Sequence, residues 1–95
     1  MAVKNLNKIR KDIERIDEVI LTALAERMDL MPDLAAIKKQ RKIPIFQEKQ
    51  EQQTVKRLRR MAKEQELDPD FVEEIFVSIF NESKRLQNEA MRREE

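Results

Sequence analysis

The 95-residue sequence has no cysteine, histidine, glycine, tryptophan or tyrosine. Without cysteine there is no disulfide framework and no thiol chemistry. Without histidine the commonest metal ligand and the usual proton shuttle are missing too. Nucleophile-histidine triads, zinc centres and most hydrolytic mechanisms are thereby excluded, and no cofactor or metal is expected. The lack of glycine rules out glycine-rich phosphate loops, dinucleotide-binding fingerprints and glycine-dependent tight hairpins. Long apolar runs are absent as well. MAVKNLNKIRKD carries nothing like a signal peptide, and no window approaches the ~20 apolar residues of a membrane span. The expectation is a soluble, cytoplasmic protein.

Charged residues make up 41% of the chain, but 20 Lys+Arg face 19 Asp+Glu, so no net field draws it to nucleic acid or a membrane. The run VKRLRRMAK is basic, yet it has no interleaved aromatics and is flanked by acidic residues, which suits a solvated helix face better than a nucleic-acid site. A chain this short suits one domain, residues 1–95, with a modest core that a partner would enlarge.

The patterning is all-α. Ile9, Ile13, Ile16, Ile20, Ala23 or Leu24, Met31, Leu34 and Ile37 recur at alternating intervals of three and four, the stripe of a single helix over about residues 5–41 with Asn5 as its cap. Unbroken, it would be roughly 54 Å long, too long for the remaining residues to cover. Pro32 lies inside it and removes the N–H that would bond the Met28 carbonyl, so a bend or break is expected near 28–32. Pro44 ends the helix by forcing Ile43 out of helical geometry. A second helix is predicted from about Gln47 to Lys63 on the stripe Glu51, Val55, Leu58 and Ala62. A third starts at Pro69 behind an Asp68 cap and carries Val72, Ile75, Phe76, Ile79, Ser83, Leu86 and Gln87, with MRREE fraying at its end.

Polar residues on these stripes are the informative ones, because an unpartnered polar group in a helix interface is costly. Arg27 and Lys38 are eleven residues apart, about three turns. Glu51 opens the second stripe, Ser83 and Gln87 close the third, and Arg10 lies at the edge of the first. Singly, the Arg and Lys residues are explained by long side chains reaching water from an interface edge, and Ser83 and Gln87 by lying where the last helix leaves the core. Together they describe a small dry pocket with two or three cations, one carboxylate and an amide, suited to a compact dianion bearing a hydroxyl.

IRKDIERIDEVILTALAERMDLMPDLAAIKKQRKIPI, then QEKQEQ, LDPDFVEEIF and ESKRLQ resemble the all-helical (type II) chorismate mutase family over nearly the whole chain. The shared pattern is LRxxID, LxxLLxERxxL, a Lys eleven residues after that Arg, PIxDxxRE and a final SxxxQ, with order and spacing agreeing in four blocks. The resemblance implies an intertwined homodimer of three-helix chains that rearranges chorismate to prephenate, a step of aromatic amino-acid biosynthesis needing no cofactor. It implies that Arg10 reaches the partner's site and that Arg27 binds the other substrate carboxylate. Lys38 and Gln87 would donate to the ether oxygen of the breaking bond. Glu51 would hold the ring hydroxyl, Ser83 would assist at a carboxylate, and Gln47 would stand at the family's Asp as a further hydroxyl and backbone contact. Such catalysis rests on holding the reactive conformer and placing cations where charge develops.

The sequence departs from the pattern at three places. Gln47 replaces an Asp and is a poorer N-cap. Gln50 replaces an Arg and cannot form a bidentate carboxylate contact. Pro32 is the third. These departures also suit a helical dimer that serves as an interaction module with a weakened site, and the same fold and pocket would serve an isochorismate-pyruvate lyase.

Overall fold

A computed structural model describes residues 5–93. Among them all regular structure is helical: α1 (Leu6–Asp29), α2 (Met31–Arg41), α3 (Glu48–Glu64) and α4 (Pro69–Arg93). The chain forms two compact units, Met1–Leu30 and Met31–Glu95. The fold is thus the expected all-α one with a long N-terminal helix, except that the first helical span is divided at Leu30. Pro32 explains the division. As the second residue of α2 it stands in a first turn, where a missing N–H forfeits no intrahelical bond. Leu30 keeps right-handed backbone angles (φ −80°, ψ −14°), and its N–H donates to the Arg27 carbonyl at 3.3 Å, a tightened final turn for α1.

In the first unit Asn5 caps α1 as expected, its side chain accepting from the Lys8 N–H at 2.9 Å. No described residue of α1 is buried. Ile9, Ile13, Ile16 and Ile20 are all exposed, by 40–54%, so the apolar stripe read from the sequence lies open in the single chain.

In the second unit α2 and α3 both pack on α4. The core consists of Met31, Ala35, Ala62 and Phe80, with Phe76 tilted against Phe80 at a ring separation of 6.1 Å. The α3 stripe holds, since Val55 and Leu58 are half-buried and Ala62 buried. On α2 the buried face is Met31, Ala35 and Lys38, while Ile37 is exposed, so the stripe turns slightly from the one expected. Asp68 accepts from the Asp70 N–H at 2.9 Å ahead of Pro69, as anticipated. Helix α4 extends through Met91, Arg92 and Arg93, which the sequence reading assigned to a frayed tail. Arg93 there bonds Glu89 at 2.6 Å, and Glu94 and Glu95 lie outside the described residues.

Without glycine, α2 and α3 still end in Schellman motifs. Ile43 N–H donates to Lys38 O at 2.8 Å and Lys42 N–H to Lys39 O at 3.2 Å, while Leu67 N–H donates to Ala62 O at 2.8 Å and Glu66 N–H to Lys63 O at 3.1 Å. The residues at the turning points, Lys42 (φ 57°) and Glu66 (φ 60°), are in the left-handed region that glycine adopts at no steric cost. Glu66→Gly is expected to raise stability by about 1 kcal/mol, the relieved strain exceeding the added unfolded-state entropy. Denaturant melts of the two proteins would check this, and a lower midpoint for the variant would refute it.

Candidate functional site

Among its described residues the second unit buries three polar side chains beside four apolar ones: Lys38, Ser83 and Gln87. Burying so much polarity in so small a core is unfavourable unless each group finds a partner. The partners define the site.

Lys38 is on the face of α2 that carries Met31 and Ala35, and only 8% of its surface is exposed. Its Nζ donates to the Ile45 carbonyl at 2.8 Å. Burial holds its pKa below the usual lysine value, and the negative charge of Glu51 works in the opposite direction. The Ile45 carbonyl is neutral, so the hydrogen bond leaves the positive charge in place and uses one of three N–H donors.

Ser83 and Gln87 are one turn apart on α4, on the same face as Phe80. Ser83 Oγ donates to the Ile79 carbonyl at 2.8 Å. Gln87 Nε2 donates to the Ser83 carbonyl at 3.2 Å and to Met31 Sδ at 3.6 Å, a thioether being a weak acceptor. Gln87 Oε1 is buried without a hydrogen-bond partner. An amide held by a weak acceptor, with its carbonyl oxygen unmatched, is set to exchange partners for a ligand at small cost.

Glu51, on the first turn of α3, is half-buried and forms an ion pair with Lys84 Nζ at 2.9 Å. Lys84 also lies over the Phe46 ring, 4.5 Å from its centroid. Gln47 is the N-cap residue of α3, and its side chain makes no capping bond, in line with the weak capping expected of Gln. Gln50 is exposed.

The second unit therefore carries Lys38, Glu51, Ser83 and Gln87, with Gln47 as the N-cap of the same helix as Glu51 and with Glu51 acting electrostatically on Lys38. Arg10 and Arg27 belong to the first unit, Arg10 exposed and Arg27 half-buried, with burial lowering the Arg27 pKa from its ordinary value. Two contributors were missed in the sequence. Phe80 precedes Ser83 and Gln87 at intervals of three and seven, and that spacing would have placed it on their face. Lys84 gave no such signal, because its role depends on contacts across elements, and Met31 was read on the apolar stripe but without its bond to Gln87. In the basic run, Arg59 is committed to Asp70 and Glu73, each at 2.9 Å.

An open groove between α3 and α4 also touches Glu51, with Val55, Lys56, Val77 and Phe80 in its walls. Glu48 and Glu73 line it too, and of its carboxylates Glu51 is paired with Lys84 and Glu73 with Arg59. No helix among the described residues is long and apolar enough to cross a membrane.

Residues 9–88 match the sequence model of the family described as chorismate mutase type II. The chain is 37% identical over 87 residues to a protein of Methanocaldococcus jannaschii named chorismate mutase, covering 92% of this chain and 88% of that protein. It is 34% identical over 80 residues to the bifunctional chorismate mutase/prephenate dehydratase of Aquifex aeolicus, covering 84% of this chain and 22% of that protein. Identity to the T-protein of Enterobacter agglomerans is 25% over 87 residues, 92% of this chain and 23% of that one.

Because its folded-state pKa is depressed, Lys38 binds its proton less tightly in the folded than in the unfolded chain. Between the lowered value and 10.5 the unfolded state holds more protons, so this residue's contribution to stability improves as pH rises through that window. Denaturation of the parent and of Lys38→Met as pH approaches 10.5 should show the parent gaining relative to the variant. A constant difference across the range would contradict the assigned desolvation.

Proposed function

The chain belongs to the type II chorismate mutase family, and on that premise we propose that it converts chorismate to prephenate as a homodimer, with the polar cluster around Lys38 forming the catalytic part of its site. The observation that carries this reading is the buried Lys38 ammonium, within electrostatic reach of Glu51, in a unit that also buries Ser83 and Gln87. A dry cation with spare N–H donors is what an intramolecular ether cleavage needs.

The rearrangement breaks one carbon–oxygen bond and forms one carbon–carbon bond within a single molecule. No nucleophile or proton shuttle enters, which fits a chain without cysteine or histidine. Negative charge grows on the ether oxygen as the bond breaks. Lys38 donates one N–H to that oxygen while keeping another on Ile45, so its charge is already oriented before the reaction begins. Gln87 turns its amide from Met31 Sδ towards the same oxygen. Glu51 accepts from the ring hydroxyl, Gln47 offers a second contact there, and the Ser83 hydroxyl turns from the Ile79 carbonyl to a substrate carboxylate. Arg27 pairs with one carboxylate, and Arg10 of the second protomer pairs with the other. Holding the two termini by charge selects the compact reactive conformer, an entropic contribution to the rate.

The open apolar face of α1 supports the dimer. Ile9, Ile13, Ile16 and Ile20, each already about half covered, form a continuous stripe whose burial would contribute roughly 1 kcal/mol per side chain. A second copy of α1 carries the same stripe and so provides a matching surface. One domain spanning residues 1–95 is then completed by its partner.

Chorismate consumption and prephenate formation by the purified protein test the activity. Lys38→Ala is expected to lower kcat about 100- to 1000-fold, in the range of a lost oxyanion donor. An unchanged rate would remove Lys38 from the mechanism, and pyruvate release from isochorismate without chorismate turnover would make the protein a lyase. For the assembly, sizing should give twice the 11.4 kDa chain mass. Ile16→Arg, which places a charge in the stripe, should shift the protein towards the monomer. A monomeric parent would refute the dimer.

A further inference from the structure

We propose that Lys84 is a positioning residue that holds the Glu51 carboxylate and so leaves the Lys38 ammonium to the substrate. The inference rests on the mutase reading above and goes beyond the residues that the family pattern assigns.

Lys84 is on α4 between Ser83 and Gln87, two of the residues assigned to the site. Its Nζ stands 2.9 Å from Glu51 Oε1 on α3 and 4.5 Å from the Phe46 ring in the connector ahead of α3. The side chains are 24% and 30% exposed, so the pair is partly shielded and more strongly coupled than a surface pair. One ammonium thus ties α4, α3 and the α2–α3 connector together at the edge of the site.

Two cations contend for one carboxylate. Glu51 acts electrostatically on Lys38 as well as pairing with Lys84. If Glu51 paired with Lys38 directly, the Lys38 charge would be neutralised before substrate arrived, and its N–H groups would point away from the breaking bond. Glu51 would also lose freedom to accept the ring hydroxyl. Instead Lys38 donates to a neutral carbonyl, Ile45 O, while Lys84 takes Glu51 Oε1. The other carboxylate oxygen, Oε2, remains for the hydroxyl. The Phe46 ring also attracts Lys84 Nζ without competing for its charge, because a ring face attracts a cation but does not neutralise it.

The test is a double-mutant cycle read in kcat and KM for chorismate, using the full chain. Lys84→Met keeps the apolar stem and removes the charge. It should lower kcat about tenfold and KM-normalised turnover by at least as much, the signature of an interaction lost in the transition state. Lys84→Arg should stay within about threefold of the parent because it restores the cation. In a Glu51→Gln background, which has no carboxylate to compete for Lys38, Lys84→Met should change kcat by less than about twofold. Lys84→Gln repeats the cycle should the Met variant fold poorly. Losses that multiply in the double variant, or an Arg variant as slow as Met, would overturn the positioning role. A parent that does not consume chorismate sinks the mutase reading and this inference with it. A parent that turns over with additive losses sinks the inference alone.

Discussion

Keeping one ammonium charged inside a very small helical core is the constraint on which the second unit depends. Lys38 meets it with both its main chain and its side chain. Its carbonyl accepts the Ile43 N–H in the Schellman motif that ends α2, and its Nζ donates to Ile45 two residues further on. The helix ending therefore turns the chain back so that a carbonyl reaches the charge that the helix buries. Lys42 enters the left-handed region at this turn although it has a Cβ. The local strain and the buried charge are two parts of one arrangement, and a helix running straight past Lys42 would leave Lys38 without its acceptor.

The rest of the cluster follows from the same requirement. Met31, Ala35, Ala62 and Phe80 supply little apolar area, so the core gains less from packing than a larger domain would. Gln87 adds a cost, since its Oε1 lacks a partner and its Nε2 is held partly by sulfur. Apolar residues of similar volume would stabilise these positions. Their polarity makes sense as capacity reserved for a ligand: donors and acceptors held loosely in the free protein can be transferred to substrate without breaking strong internal bonds. Under the proposed function, stability given up in this unit becomes differential binding during the reaction.

How much of this was legible follows from the kind of interaction involved. Asn5 and Asp68 were readable because a capping side chain acts on residues two or three positions away. The α3 stripe was readable because helical period alone fixes which residues share a face. The division at Leu30 was readable only as a bend or break, since Pro32 tells that a bond is missing but not whether the chain restarts a helix around it. The endings of α2 and α3 were hidden, because neither Lys42 nor Glu66 resembles the glycine expected at such a position. Lys38, Ser83 and Gln87 stood out as polar residues on apolar stripes, and their burial follows from that pattern. What joins them did not stand out. The Gln87–Met31 bond links residues 56 apart in sequence, and Lys84 meets Glu51 only through the packing of α3 on α4.

The sequence departures at Gln47 and Gln50 take on a narrower meaning in this light. Each loses a charge at the start of α3, of opposite sign at the two positions, and an Arg at position 50 would have been next to Glu51 in sequence but about 100° round the helix from it. Yet Gln50 is exposed, and Glu51 is held from the opposite helix by Lys84. The geometry of Glu51 therefore does not depend on residue 50. The Arg lost at position 50 would have added long-range attraction for a dianion, which falls with ionic strength and acts on encounter more than on the bond-breaking step. The Asp lost at position 47 would have opposed it, so the two changes largely cancel in net charge. In the proposed mechanism the charge that matters at the transition state is the one on Lys38, which is anchored by the end of α2 and by the Ile45 carbonyl, neither of which involves the altered positions.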